Sequence, residues 1–187
     1  MKTAYILPNI RIVDLALLIE DENTLVISDL HIGYEEELNK SGILVPRFQF
    51  KELTKRLKSI FKLAGKLKKI VITGDLKHEF GTISKQEWRE TLKALDIFLE
   101  RTGEVVLIKG NHDTILGPIA NKRGVNVVEY HYIKEKRIYI THGHKIPSYS
   151  DFEEAKIIII GHEHPAISIR DDVRVEKFKC FLKGRWD

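Results

Sequence analysis

Five short apolar runs in this sequence each end in a burst of residues able to ligate a metal. Leu25–Ser28 leads into Asp29-Leu30-His31, Ile70–Thr73 into Gly74-Asp75, and Val105–Lys109 into Gly110-Asn111-His112-Asp113. Ile138–Thr141 leads into His142-Gly143-His144, and Ile157–Ile160 into Gly161-His162-Glu163-His164. Every histidine except His131 lies in or near these bursts, including His78 three residues past Asp75; His131 reads as a structural residue. In an extended chain residues i and i+2 point the same way about 6.6 Å apart, so Asp29/His31 and His162/His164 can each aim two side chains into one site. Glycines at 74, 110, 143 and 161 permit tight turns and close backbone approach.

The donors are imidazole, carboxylate and carboxamide, because Cys180, the only cysteine, lies sixteen positions beyond the last burst. That set suits Mn²⁺, Fe or Zn²⁺ better than an all-oxygen Ca²⁺ cage or an all-sulfur zinc site. Seven candidate ligands (Asp29, His31, Asp75, Asn111, His142, His162, His164) exceed what one tetrahedral ion accepts. Two ions accommodate them if Asp75 bridges with both carboxylate oxygens. Two metals about 3.5–4 Å apart clamp in-line displacement at phosphorus and lower the pKa of bound water toward 7. His112, in a Gly-Asn-His-Asp turn beside the carboxylate of Asp113, has the setting of a general acid held protonated.

The elements that must position these residues alternate short β-branched runs with longer amphipathic stretches, the pattern of an α/β protein. Strands are expected at Leu25–Ser28, Lys69–Thr73, Glu104–Lys109, Val125–Tyr132, Arg137–Thr141, Ile157–Ile160, Ile167–Arg170 and Arg174–Phe178, after a hairpin of Arg11–Val13 and Ala16–Glu20. A helix is expected over Arg47–Ala64, where Leu53, Leu57, Ile60, Phe61 and Ala64 recur at helical spacing before Gly65. A second is expected over Ser84–Arg101, opened by the capping-box pair Ser84 and Glu87 and closed by Gly103. Past Asn121 the pattern turns to strands, which predicts two packed sheets rather than one evenly wound sheet. In open α/β sheets ligands bind at the carboxyl ends of strands, so five such ends are expected to meet in one crevice.

The chain has 187 residues, 43% of them hydrophobic and 31% charged, which excludes disorder, collagen and coiled coil and fits one domain over 1–187. The formal charge of +4 permits an anionic partner without requiring one. A lone cysteine, with no apolar run long enough for a signal peptide or membrane span, gives the expectation of a cytoplasmic protein without membrane association. One Met, two Gln and abundant Lys, Glu and Ile resemble the composition of hyperthermophile proteins. Trp88, Tyr5, Tyr130 and Tyr132 are expected in the core, Trp186 less so because it lies one residue from the chain end.

Taken in order, Asp29-Leu30-His31, Gly74-Asp75, Gly110-Asn111-His112-Asp113, His142 and Gly161-His162-Glu163-His164 resemble the five blocks of the calcineurin-like metallophosphoesterase superfamily. The segment Ser28–Glu35, with Val45-Pro46 and Gly74–His78, is more narrowly similar to the small ICC-like phosphoesterases of archaea and bacteria, some of which are linked to DNA ligases and helicases. The resemblance implies a four-layer α/β sandwich of two mixed sheets flanked by helices. It implies that Asp29, His31, Asp75 and His164 hold one metal, that Asp75, Asn111, His142 and His162 hold the other, and that Mn²⁺ is the preferred ion, with Zn, Fe or Ni as alternatives. It implies attack on phosphorus by a hydroxide shared between the ions, with His112 as general acid oriented by Asp113. His78 and His144 sit outside the common pattern: His78 is a candidate for contact with a ligand or substrate, or for capping a turn, and His144 for orienting His142 or pairing with backbone.

The resemblance leaves the substrate open among phosphodiesters, nucleic acids and phosphomonoesters. Only 23 residues follow His164, too few for the DNA-binding cap of the superfamily's double-strand-break nucleases, so no separate capping domain is expected. Between Arg47 and Lys69 there are nine basic residues and one acid, Glu52. Lys51, Lys55, Lys58, Lys62, Lys66 and Lys69 recur at three- and four-residue steps, a stripe able to track a nucleic-acid backbone or simply to be solvated. A second copy of the chain or a partner protein is a further candidate to hold a large substrate. A scaffold without catalysis, like the retromer subunit that resembles this fold, is the reading from another class. Loss of the histidine in the Gly-Asn-His block marks that scaffold, and here His112 is present.

Overall fold

Four short strands begin the chain as an antiparallel meander: β1 (Ala4–Leu7), β2 (Ile10–Val13), β3 (Ala16–Ile19) and β4 (Thr24–Ile27). The structure is a computed structural model that describes residues 4–79 and 83–186. From β4 onward β5 (Lys69–Thr73), β6 (Val105–Ile108) and β7 (Asn126–Val128) add in parallel, which completes a seven-stranded mixed sheet in chain order. The parallel crossovers carry helices α1 (Tyr34–Lys40), α2 (Gln49–Ala64), α3 (Lys85–Arg101) and α4 (Leu116–Asn121). A second sheet holds β8 (Tyr130–Ile133), β9 (Ile138–Thr141) and β10 (Ile157–Ile160), with β9 central, antiparallel to β8 and parallel to β10. The short helix α5 (Ser150–Glu153) precedes β10, and a separate hairpin of β11 (Ala166–Arg170) and β12 (Val175–Lys179) follows it.

The period of two along each central strand divides the core into two layers. Leu25 and Ile27 of β4, Ile70 and Ile72 of β5, and Leu107 of β6 face the helices, where they meet Leu57, Ile60 and Phe61 of α2 and Leu95 and Phe98 of α3. Val26, Val71 and Ile108 face the other way and pack against Ile133, Ile138, Ile140 and Ile159 of the second sheet. Strands apolar on both faces belong to a sheet covered on both faces, which is why these runs lack polar alternation. The expected two mixed sheets with helical cover are therefore present, although the outer face of the second sheet is covered thinly. Tyr139 points to that face, stacks on Tyr130 at 4.7 Å and meets Phe152 of α5 edge-on at 5.4 Å.

Local expectations fail where the chain changes sheets. Val125–Tyr132 is not one strand: β7 and β8 join different sheets on either side of Glu129, and the run of β-branched residues conceals the crossing. Tyr5 is 52% exposed and donates to Glu20 rather than entering the core, because β1 is the edge strand. Trp88 packs against the helical core, Tyr130 and Tyr132 are half-buried against Tyr139, and Trp186 is exposed. Ser84 caps α3 by accepting from the Glu87 backbone N–H at 3.0 Å, as the capping box predicts. The Glu87 carboxylate instead turns inward, where Oε1 accepts the backbone N–H groups of His78 and Glu79 at 2.8 and 2.9 Å.

Candidate metal centre

All five bursts begin at carboxyl ends of parallel strands: β4, β5 and β6 in the first sheet, β9 and β10 in the second. The loops after β4 and β5 stay paired, with Asp29 N–H to Gly74 O, His31 N–H to Asp75 O and Ile32 N–H to Leu76 O at 3.0–3.2 Å. The turns that follow force unusual backbone. Of the nine described non-glycine residues with positive φ, five are Asp29, His31, Asp75, His162 and His164. Left-handed backbone costs of order 1–3 kcal/mol per residue and persists only where surroundings impose it, so the strain is concentrated in the candidate ligands. Gly110 and Gly161 supply the missing volume: a Cβ at 110 would lie 2.1 Å from Asp75 Oδ1, and one at 161 would lie 1.9 Å from Ser28 Oγ.

Among the described residues three groups of donors converge; one of them, His31, His78 and His112, shares His31 with the first of the two described next. In the first, Asp29, His31 and His164 come together, with His164 Nε2 3.2 Å from both Asp29 Oδ1 and His31 Nε2. Ser28 Oγ and the His162 backbone N–H hold the Asp29 carboxylate in place. In the second, Asp75, His142 and His162 come together, and Asn111 Oδ1 lies 2.8 Å from His142 Nε2. Asp75 Oδ2 faces both groups, at 4.0 Å from His31 Nε2 and 3.3 Å from His142 Nε2. Asp75 Oδ1 accepts the His112 backbone N–H at 2.9 Å, so the atom between the groups is one oxygen and not the expected pair.

These contacts call for positive charge. His142 Nδ1 lies 2.9 Å from the Thr73 carbonyl and must donate to it, so in the neutral ring Nε2 is a bare lone pair that faces two further acceptors, Asn111 Oδ1 and Asp75 Oδ2. Burial, the largest influence on His142, lowers its pKa, yet the Asp75 carboxylate and the Thr73 carbonyl raise it on balance. Burial, again the largest influence, pushes the Asp75 carboxyl up, and the contacts from His142 and the His112 backbone N–H outweigh it and hold it at about 2. A metal–nitrogen bond of about 2.1 Å places neighbouring donors about 3.0–3.4 Å apart, the range of the His31–His164 and Asp29–His164 spacings. The residues therefore fit divalent ions.

His112 lies beside Asp75, with Nε2 3.9 Å from Asp75 Oδ2, and its Nδ1 donates to the His78 carbonyl. Asp113 does not serve as the expected partner of that ring. It is buried, its carboxylate accepts the backbone N–H of Gly110 at 3.0 Å and of Lys77 at 3.4 Å, and it braces the turn that presents Asn111 and His112. His144 does not orient His142, both of whose nitrogens are engaged elsewhere; its ring lies on the exposed rim, 5.2 Å from that of His142. His78 is placed inside the site, its Nδ1 3.1 Å from His31 Nδ1 and its Nε2 paired with Glu37. Sequence reasoning missed Glu37, Glu87 and Lys77. Lys77 is fully buried and its ammonium donates to the carbonyls of Glu79 and His112 at the centre of the site. Only Glu87 had a sequence signal, and it read as a local cap.

Lys51, Lys55, Lys58 and Lys62 on α2, and Lys66 just past its end, are exposed. Lys69 leaves that stripe: it sits at the start of β5, 2.9 Å from Glu104 and 3.3 Å from His131, whose ring is half-buried as a structural residue. The first turn of α2 is tied to the site by Gln49 Nε2, which donates to the His31 carbonyl at 3.0 Å. Among the described residues no helix is long and apolar enough to cross a membrane.

Residues 23–174 match the sequence model of the calcineurin-like phosphoesterases. The structure is similar to that of Pseudomonas putida nuclease MPE, with a TM-score of 0.61 and 18% identity over 90% of this chain and 76% of the other. It is also similar to the Aquifex aeolicus protein AQ665, with a TM-score of 0.48 and 23% identity over 75% of this chain and 78% of the other. None of the curated proteins compared matches the sequence.

Proposed function

The chain belongs to the calcineurin-like phosphoesterase family, whose members are metal-dependent hydrolases, and from that premise we propose that it hydrolyses phosphodiesters at a dinuclear centre. The observation that carries this reading is the convergence of two donor groups on Asp75 Oδ2, with His112 beside them. Divalent ions held there, Mn²⁺ foremost for this mixed donor set, would supply Lewis acidity to the phosphoryl oxygens and a water acidified toward neutrality. His112 supplies the proton. Its Nδ1–H is given to the His78 carbonyl, so Nε2, 3.9 Å from Asp75 Oδ2, is the nitrogen left to deliver a proton. That proton goes to the departing alkoxide, and the phosphoryl charge left behind meets the ring.

A diester is favoured over a monoester because the centre is open: His164 is 43% exposed and His144 lies on the rim, so a chain can pass on both sides of the scissile phosphorus. The nuclease named among the structural neighbours accords with this choice. The exposed lysines of α2 run from Lys51 to Lys62, about 17 Å of helix and so about five phosphates of one strand, on the helix whose first turn is tied to His31. The single cysteine accords with a reducing, cytoplasmic setting.

The test compares an aryl phosphodiester with the matching monoester, using chelated protein resupplied with Mn²⁺, Zn²⁺, Fe²⁺ or Mg²⁺. Diester turnover dependent on metal and on His112 supports the proposal; monoester turnover alone replaces the substrate class. Silence with every metal, with two ions bound, moves the reading to a scaffold. For the stripe, exchange of Lys51, Lys55, Lys58 and Lys62 for Gln should flatten the salt dependence of DNA affinity, and wild-type binding indifferent to salt refutes it.

A further inference from the structure

His31 differs from His112 and His142 in what stands behind its ring. The Nδ1 of His142 rests on the Thr73 carbonyl and that of His112 on the His78 carbonyl, both main-chain acceptors. The Nδ1 of His31 instead faces the Nδ1 of His78 at 3.1 Å, and the far nitrogen of His78 pairs with the carboxylate of Glu37 on α1. Since His31 Nε2 points at His164 and Asp75, a ring able to ligate through Nε2 carries its proton on Nδ1. That proton has one acceptor in the contact, the lone pair of His78 Nδ1. His78 then carries its own proton on Nε2 and gives it to Glu37, so the two hydrogen bonds run in one direction.

The pair is built to keep this order. The His78 backbone N–H donates to Glu87 Oε1 at 2.8 Å and to the Ile32 carbonyl at 3.0 Å, which fixes the loop. The His78 ring stacks on that of His112, 5.2 Å away at 26°, and the Tyr34 ring closes its edge at 4.8 Å. Its side chain is only 16% exposed, so water is a poor substitute for either neighbour. Tyr34 and Glu37 stand three residues apart on α1, hence on one face of that helix.

We propose that Glu37 and His78 are positioning residues that fix the tautomer and plane of His31 and raise the affinity of the Asp29/His31/His164 group for a divalent ion. The pair extends by one ring the usual arrangement in which a carboxylate backs a metal-bound histidine. This rests on the metal-dependent reading of the site, but its test reads metal binding and not turnover.

The experiment is a titration of chelated protein with Mn²⁺, followed by the paramagnetic resonance of the free ion. Wild type, His78→Ala, His78→Asn, Glu37→Ala and the double variant His78→Asn/Glu37→Ala are compared. Wild type is expected to bind two ions. His78→Ala should weaken one of them about 10–100-fold and leave the other unchanged. Asn at 78 places a carbonyl oxygen where Nδ1 stood and should restore most of that affinity, and Glu37→Ala should cost less than His78→Ala. Adding Glu37→Ala to His78→Asn should change nothing, because the link is already cut. In zinc-loaded protein the nitrogen-15 shifts of His31 should report a protonated Nδ1.

Wild-type affinity in His78→Ala, an equal loss of both ions, or zinc on His31 Nδ1 overturns the relay. Loss of a whole ion on His78→Ala also overturns it and makes His78 a direct ligand in the group His31, His78 and His112. Wild-type protein that takes up no Mn²⁺ overturns the metal reading itself, and the relay falls with it.

Discussion

Replacing Gly110 with alanine is a sharp test of the geometry, because it adds one methyl group at the point where two loops touch. The new Cβ would lie 2.1 Å from Asp75 Oδ1 and 2.4 Å from the Asp75 backbone nitrogen. Ordinary contact begins at 3.4 Å, so the carboxylate or the turn must move by about 1.3 Å. Oδ1 cannot yield without releasing the His112 backbone N–H, and Asp75 carries Oδ2, which faces both donor groups, along with it. Overpacking of this kind costs about 1–3 kcal/mol of stability, and a misplacement of about 1 Å at a reacting centre costs about 100-fold in rate. Gly103→Ala is the control, since nothing lies within 4 Å of its new Cβ, and it should stay within about 0.5 kcal/mol of wild type. The assays are urea unfolding in chelator, Mn²⁺ titration and phosphoester turnover. If Gly110→Ala bound Mn²⁺ and turned over like wild type, the placement of Asp75 against the Gly110 turn would be wrong, and the inferred two-sided role of Oδ2 with it.

The other predictions test separate groups. His112→Ala should lower turnover by about two to four orders of magnitude while both ions remain bound; an unchanged rate would remove its acid role. Asp75→Ala should lose both ions and activity, and retention of one tightly bound ion in a Mn²⁺ titration would show that the donor groups do not share it. Burial raises the Glu87 carboxyl above its ordinary 4.5, although the Glu79 and His78 backbone N–H groups pull it down. The folded chain thus holds this proton more tightly than the unfolded one, and the resulting stabilisation is full below pH 4.5 and lost as pH rises through the raised value. Glu87→Gln removes that slope, so wild type should lose stability relative to the variant across this window, and parallel urea-unfolding curves at both ends would refute it. Ion pairs such as Arg56–Asp14 and Arg123–Asp96, with few thermolabile side chains, predict a melting temperature above about 60 °C, and calorimetry checks it.

Much of the site could be read in the one-dimensional pattern because its donors sit at strand ends. A run such as Ile157–Ile160 is apolar enough to be a covered strand, and a turn must follow it, so His162 and His164 had to emerge at a carboxyl edge whatever the neighbouring strands were. The same logic located Asp29, His31, Asp75, Asn111 and His142, and the strand–helix alternation located α2 and α3 within two residues. Helical spacing alone also drew Lys69 into the basic stripe, and only the start of β5 removes it. The crossing at Glu129 was invisible because β-branched residues suit either sheet equally well.

The sequence by itself thus determined which donor residues stand at the ends of which elements, since periodicity and turn chemistry act over a few residues. Tertiary structure decided what stands behind each of them. Asp113 is adjacent to His112 in the chain, yet its carboxylate is taken by Gly110 and Lys77, and the ring is oriented by a carbonyl 34 residues away, that of His78. Glu37, in helix α1, which the apolar periodicity did not reveal, reaches the centre through His78 and His31. Hydrogen-bond partners are set by the packing of loops from separate strands, and that packing depends on distances no local spacing encodes.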